Sequence, residues 1–394
     1  MKVLFIHCHY ADAGGEDTVV SEEMKLLQSK GVEVELLEFD NGKNVIANVI
    51  QMPFNAAAYL STIKKIKQYK PDIVHIHNLH FAASPSVIYA VRRQRIPFVM
   101  TLHNYRLLCP TATLFYNGKP FLSSMQQAFP WTAIKKGVYR HSRLLTCWLS
   151  LSIKLHQALG TWKLCNCCIV LSEQAKEIFL RSHIGIIEER LVIKPNFSRI
   201  VRKDGLRRNN DFLYAGRLSE EKGIRILLNA FAGSAHTLTI AGNGPLRETV
   251  VSYASRYSNI VYAGPLQRDE LISKLQACNA LIFPSIWSEG MPLTIIEAFS
   301  CGTPVLASRT GAMETMITDG YNGLHFEAGS EADLRNKVEY WSMRGQKERE
   351  HIGNNALDTY HRRYTPSKNA AMLLSIYAFA ASNNFCHGTK FLHQ

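Results

Sequence analysis

The chain has 394 residues, 46% of them hydrophobic and 20% charged, a composition that fills two globular domains and excludes a globally disordered protein. Its formal net charge is +13, and its nine cysteines form no spaced framework, so a disulfide scaffold is excluded and a reducing cytoplasm is the expected compartment. The opening run Lys2-Val-Leu-Phe-Ile-His7 is too short for a secretory signal.

Val3 to His7 reads as a buried strand. It leads into the loop Ala11-Asp-Ala-Gly14-Gly15 and a helix from about Glu16 to Lys30, closed by Gly31. Val32 to Leu37 is a second strand, residues 56–69 are helical, and Asp72 to His77 and Pro97 to His103 are further short apolar strands. After Asn196 and a polar linker, Arg202 to Asn210, a second set follows: Phe212–Gly216, Leu238–Gly242, Ile260–Gly264, Ala280–Pro284 and Pro304–Ser308. Strands alternating with helices predict parallel, doubly wound α/β sheets. Three strands of the second set end in Ala-Gly, where a ligand can approach the backbone closely. Residues 364–381 read as an apolar helix and the last dozen residues as a loose tail.

Charge is unevenly placed. Residues 1–200 hold 24 Lys and Arg against 14 Asp and Glu, and no acid occurs between Asp72 and Glu173, a window with eleven Lys and Arg. A negative partner is expected near this half. Inside the window, Arg140 and Arg143 precede the apolar run Leu144 to Ile153, and Lys154, Trp162 and Lys163 follow it. Ten residues cannot cross a hydrocarbon core that needs about twenty. Two readings stay open: a helix of the 135–163 segment lying against an anionic membrane, or a buried helix with solvated basic ends. No aromatic-basic interleaving or recognition motif points to nucleic acid.

Glu289 and Glu297 bracket Gly-Met-Pro-Leu-Thr-Ile-Ile. The first ends a polar turn and the second lies about two turns into a predicted helix. Gly290, Met291, Pro292 and Leu293 fall at its start, where free backbone N–H groups and the helix dipole favour a phosphate. The two carboxylates can accept hydrogen bonds from hydroxyl groups, as a sugar and a ribose would offer. Upstream, Gly216-Arg217-Leu-Ser-Glu-Glu-Lys222-Gly223 follows a strand and precedes a helix, so a guanidinium and an ammonium can converge on one dianion. Ala241-Gly242-Asn-Gly244-Pro-Leu-Arg247 lacks the third glycine of a dinucleotide fingerprint. His7, His75, His77 and His80 pair with no carboxylate at ligand spacing, and no Asp-x-Asp occurs, so no metal ion or other cofactor is expected. The one C-x-x-C, Cys165 to Cys168, lacks a second ligand pair.

The string from Trp287 to Val305, together with Gly216 to Gly223, resembles the signature of retaining glycosyltransferases of the two-Rossmann GT-B fold, the E-x7-E or family 4-like group. That resemblance implies an acceptor-binding domain over 1–196 and a nucleotide-sugar domain over 197–363, facing across a cleft. It also implies a helix at 364–381 crossing back to the first domain before a tail at 382–394. It implies that Glu289 meets the donor sugar and Glu297 the ribose. Arg217 and Lys222 would hold the diphosphate, with Gly242 and Gly244 bordering the nucleotide and Pro265 and Leu266 near its base. On the first domain, Gly14 and Gly15 would approach an acceptor or phosphate, and His103 would lie beside the donor sugar. The acid-free window around His103 argues against a nucleophilic carboxylate, and the resemblance implies a metal-independent front-face transfer with retention.

The expected activity is transfer of a sugar from a nucleotide diphosphate sugar to a lipid-linked oligosaccharide or other glycan in bacterial surface-polysaccharide assembly, on the cytoplasmic side of the membrane. The alternatives are a soluble transferase making a small glycoside, and a nucleotide-sugar binding protein or epimerase on the same fold.

Overall fold

The computed structural model describes residues 1–9, 14–42, 45–182, 184–200 and 208–382. Loop residues 11–13, linker residues 202–207 and the tail after Ser382 lie outside the described residues. Two compact units are formed. One comprises Met1–Tyr116, Phe121–Pro195 and the chain from Ser367; the other comprises Asn117–Pro120 and Asn196–Pro366.

The first unit contains β1 (Lys2–His9), β2 (Glu33–Asp40), β3 (Ile73–Ile76), β4 (Phe98–Leu102), the short β5 (Phe115–Tyr116), β7 (Cys167–Val170) and β8 (Leu191–Ile193), while β6 (Lys119–Pro120), which pairs with β5, is grouped with the second unit. Its main sheet runs β2-β1-β3-β4-β7-β8, with every pairing parallel. Val3 to Ile6 and Ile73 to Ile76 are buried throughout, as expected of central strands covered on both faces. The helix Gly15–Gln28 buries Val19, Val20, Leu26 and Leu27, the spacing of a single apolar stripe. Leu373, Ile376, Tyr377 and Ala380 of the final helix, Pro366–Ser382, join Val3, Phe5, Ile73 and Val99 in one core cluster. The helical stretch read from Tyr364 starts two residues later, because Pro366 serves as a helix opener with its missing N–H and fixed φ.

Two charges lie inside this unit. Glu23, on the first helix, and Lys194, just after β8, are both fully buried and hydrogen-bonded to each other. Asn369 of the final helix donates to the Pro195 carbonyl at 2.7 Å, and Tyr377 meets His75 Nδ1 at 2.8 Å. The final helix is therefore tied to the sheet by polar contacts as well as by its apolar face.

The helix containing Leu144 to Ile153 spans Arg143–Ala158 and is capped by Ser142 Oγ. It buries Thr146, Leu149, Ser150, Ile153 and His156, so one face is part of the core. Cys165, Cys167 and Cys168 are buried at and within β7, and burial pushes the Cys167 thiol well up, away from redox reactivity.

The second unit contains β9 (Phe212–Ala215), β10 (Leu238–Ala241), β11 (Ile260–Gly264), β12 (Ala280–Phe283), β13 (Val305–Ser308) and β14 (Gly323–Phe326), arranged β11-β10-β9-β12-β13-β14 and all parallel. β14 has no counterpart in the sequence reading, since Gly-Leu-His-Phe is short and lacks β-branched residues. Arg208, read as linker, is anchored: its guanidinium donates to the carbonyls of Cys278 (2.9 Å), Cys301 (2.9 Å) and Gly302 (2.7 Å).

Removing one partner of a buried ion pair leaves the other charge uncompensated, at a cost of about 3–5 kcal/mol. Lys194→Met is expected to destabilise the first unit by about that amount in urea unfolding, and adding Glu23→Gln to recover part of the loss. Additive losses in the double variant would contradict the pairing.

Candidate functional site

In the second unit the chain leaves β9 toward β10 and β11 on one side, and returns to β12, β13 and β14 on the other. The switch point between β9 and β12, at the carboxyl ends of the strands, is the usual ligand position in such sheets. The loops after these two strands carry the charged motif residues. Arg217 is exposed two residues beyond β9, and Lys222 ends a short 3-10 turn, Glu220–Lys222. Glu289 follows β12.

The structure brings Lys222 and Glu289 together. Lys222 Nζ donates to Glu289 Oε1 at 2.5 Å, and Ser285 Oγ and Trp287 Nε1 each reach the same oxygen at 2.8 Å. The ammonium also lies 5.4 Å from the Trp287 ring and 5.7 Å from that of Phe283. Oε1 is thus saturated, and Oε2 makes no hydrogen bond among the described residues. Glu289 is only 6% exposed, so its orientation is fixed and one oxygen is left to accept from a ligand. The Glu289 backbone is pinned too, since its carbonyl accepts from Ala312 N at 3.0 Å. Gly311, at φ +62, passes so close that a Cβ there would fall 2.5 Å from Glu289 N.

The 3-10 turn is docked on the β12 loop: Ile286 N donates to Glu221 O at 2.9 Å and Ser285 Oγ to the same carbonyl at 3.2 Å. Gly223 follows at φ +71, where an added Cβ would lie 2.0 Å from the Pro284 carbonyl oxygen. Beyond β10, Gly242 and Gly244 press against the loop that carries Arg217; Cβ atoms there would come within 1.9 Å of Gly216 O and 2.5 Å of Leu218 O. Tyr214 OH donates to Arg217 O at 2.8 Å and Tyr262 OH to Gly242 O at 3.0 Å. Pro265 is exposed and Leu266 half-buried just past β11.

The helix after Glu289 spans Leu293–Ser300, and no side chain caps its start at Pro292. Its first-turn N–H groups are open to an anion. Two details of the sequence reading need correction. Pro292 has no N–H to contribute, and Glu297, four residues after the helix start at Leu293, sits just over one turn into the helix. Met291 is nearly buried, and its carbonyl accepts from Asn196 Nδ2 at 3.2 Å. Glu297 is half-buried, its carboxyl makes no hydrogen bond among the described residues, and burial pushes it up to about 7 against the opposing pull of Arg268.

In the first unit the switch lies between β1 and β3, and His103 ends β4 next to it. His103 Nε2 meets His77 Nδ1 at 3.0 Å with the rings stacked. His77 Nε2 faces Glu23 Oε2 at 3.5 Å. Burial pushes His103 down to about 3, so it is neutral near pH 7. Asn104 Nδ2 donates to Glu16 Oε1 at 3.0 Å, and burial raises Glu16 to about 7.

These contacts overturn two inferences made from spacing. The acid-free window does not keep carboxylates from His103, because the first helix carries Glu16 and Glu23 alongside it. The histidines do find carboxylates: His7 Nε2 and His9 Nδ1 meet Asp17 Oδ1 at 2.8 and 2.7 Å, and Glu23 lies with His75 and His77. His75 is already satisfied by Tyr377 and Thr101; Glu23 accepts from Lys194 through Oε1, while its Oε2 and His77 Nε2 are buried without a hydrogen bond among the described residues. Asp17 serves as a cap as well, accepting from Gly14 N at 2.8 Å. That bond occupies the Gly14 N–H expected to meet a phosphate; Gly15, beside it, is exposed.

Residues 197–359 match the family described as glycosyl transferases group 1, and residues 13–198 match glycosyltransferase family 4. An uncharacterized glycosyltransferase of Methanocaldococcus jannaschii is 25% identical over 351 residues, 86% of this chain and 87% of that protein. The O-antigen chain mannosyltransferase C of Escherichia coli is 22% identical over 80% of this chain and 82% of its own. Among solved structures, sucrose-phosphate synthase from Thermosynechococcus elongatus superposes with a TM-score of 0.72 at 16% identity, covering 97% of this chain and 99% of that one. Anabaena HepE in complex with UDP-glucose does so at 0.65, also 16% identical, covering 96% and 99%. These likenesses establish the GT-B fold.

Gly223 and Gly233 test the docking of the 3-10 turn, since both have φ near +70 but only Gly223 faces a close neighbour. Gly233→Ala is expected to cost about 1–2 kcal/mol in backbone strain, and Gly223→Ala about 3 kcal/mol or more because the β12 loop must also move. Equal thermal shifts would show that the contact with Pro284 is unimportant.

Proposed function

The chain belongs to the GT-B glycosyltransferases, and we propose that it moves a sugar, with retention at the anomeric carbon, from a nucleotide diphosphate sugar to a lipid-linked oligosaccharide or related glycan of a bacterial surface polysaccharide. The observation that carries this reading is the meeting of Lys222 and Glu289 at the β9/β12 switch, beside an uncapped helix start. Lys222 spends one N–H on Glu289 and has two more for the diphosphate. Arg217, on the same loop, adds a fork of donors. Glu289 Oε2 accepts hydroxyls of the sugar, and Glu297 those of the ribose. Gly242, Gly244, Pro265 and Leu266 border the nucleotide. The two relatives named for glycosyl transfer and the UDP-glucose complex of the Anabaena protein support this class of donor; the O-antigen enzyme supports the acceptor class.

In the reaction the bond from the anomeric carbon to the diphosphate oxygen breaks and a bond to the acceptor hydroxyl oxygen forms on the same face. The acceptor proton passes to the departing phosphate oxygen. Lys222, Arg217 and the helix start stabilise the developing charge, and such preorganised electrostatics are usually the largest part of the rate enhancement. No metal ion is assigned to this step. Neutral His103, fixed by His77, donates or accepts a hydrogen bond at the sugar.

A thermal-shift screen over UDP-, GDP- and TDP-sugars identifies the donor, since a ligand at a hundred times its dissociation constant stabilises by about 2.7 kcal/mol. With that donor, Lys222→Ala is expected to lower kcat about 10²–10³-fold. Glu289→Ala should mainly lower turnover, and Glu297→Ala should mainly weaken nucleotide binding; equal loss of binding in both would contradict the assigned roles. Glu16→Gln checks the direction of attack, because a nucleophilic role for this carboxylate would abolish turnover where front-face transfer would not.

The pH dependence follows from Glu297. Its carboxyl is protonated below about 7, and only the ionised form accepts from both ribose hydroxyls. Nucleotide affinity should rise between pH 6 and pH 8, and Glu297→Gln should flatten that rise relative to wild type. An unchanged slope in the variant would remove Glu297 from the ribose contact.

A further inference from the structure

The helix Arg143–Ala158 is apolar on both faces. Its buried side packs Leu149 and Ile153 against Met52 and Phe81. Its other side exposes Leu144 (84%), Trp148 (38%), Leu151 (47%) and Leu155 (48%), continued past the helix end by Leu159 (61%). The spacing of four, three, four and four residues puts these five side chains on one stripe. Ile50 is 65% exposed and adjoins the stripe, because Trp148 Nε1 donates to the neighbouring Val49 carbonyl at 2.7 Å. Soluble surfaces seldom carry so continuous an apolar row.

Charge in the sequence flanking the helix is of one sign. Lys135, Lys136, Arg140 and Arg143 are exposed before the helix and at its first residue, Lys154 is half-exposed within it, and Lys163 is exposed beyond it. No acid occurs from 73 to 172 to balance them. No helix among the described residues is long and apolar enough to cross a membrane.

We propose that this stripe seats the first unit on the surface of a bilayer containing anionic phospholipid, with Leu144, Trp148, Leu151, Leu155 and Leu159 among the acyl chains and the bordering lysines and arginines at the phosphates. An amphipathic helix with basic flanks binds in this way through apolar burial plus attraction to anionic headgroups. Pairing with a second copy of the chain is disfavoured, since it would bring the same basic margins together. Trp148 suits the boundary, with an apolar ring and a polar edge already bonded to backbone. The inference stands apart from the transfer reaction, because surface binding needs neither donor nor acceptor.

The full chain is tested by co-sedimentation with vesicles of phosphatidylcholine and phosphatidylglycerol at 7:3, with phosphatidylcholine vesicles as comparison. Wild-type protein should pellet with the anionic vesicles, and less with the neutral ones or in high salt. Leu151→Gln with Leu155→Gln should lower the partition coefficient at least tenfold, and Arg140→Ala with Arg143→Ala about as far, on anionic vesicles only. Met343→Gln, at an 82% exposed site in the other unit, should bind as wild type. Circular dichroism confirms that each variant is folded. Absence of wild-type binding, or a leucine double variant that binds normally, overturns the proposal; so does a wild-type dimer that the same leucine substitutions convert to monomer without changing vesicle binding.

Discussion

Parallel pairing of β9 with both β10 and β12 is the constraint on which the candidate site depends. It sends the two strand-end loops to the same edge of the sheet on either side of the switch. Only then can an ammonium at 222 and a carboxylate at 289, 67 positions apart, share a hydrogen bond. The glycines serve the same end. Gly223, Gly242, Gly244 and Gly311 let backbone segments approach within distances that a side chain would forbid, and the polar groups are held by rigid backbone rather than by long flexible side chains.

The two units use buried charge differently. In the second, Lys222 and Glu289 keep unused hydrogen-bonding capacity, which is what a ligand site requires. In the first, Glu23 and Lys194 are sealed away from water, and their contribution is to position what surrounds them. His77 lies between that pair and His103, so the histidine's hydrogen bonding is set by groups that touch no solvent.

Much of the second unit could be read directly from residue order. Arg217, Lys222, Glu289 and Glu297 lie within strings whose strand, turn and helix signals are local, and the structure puts the first three on the strand-end loops so read, with Glu297 one turn nearer its helix start. What escaped the reading depended on geometry across the fold. Counting acids along the chain could not reveal that the helix Gly15–Gln28 sets Glu16 and Glu23 beside His103, because neighbours in a parallel sheet come from distant segments. The same limitation hid the pairing of Asp17 with His7 and His9. Local chemistry explains the missed strand: β14 is too brief and too poor in branched residues to stand out. For the Arg143–Ala158 helix, sequence left a choice between a buried and a surface element, and each description fits one of its faces.

The final helix has a consequence for how the protein is made. Its residues 373–380 complete the core of the first unit, although they are translated after the whole second unit. Domains ordinarily fold in order of emergence from the ribosome, but here the core of the earlier one is completed only once residues 373–380 have emerged, with the part of its sheet that they cover open meanwhile. The later domain has all its residues by Pro366, and a chain cut before residue 373 would leave the first unit without these core side chains.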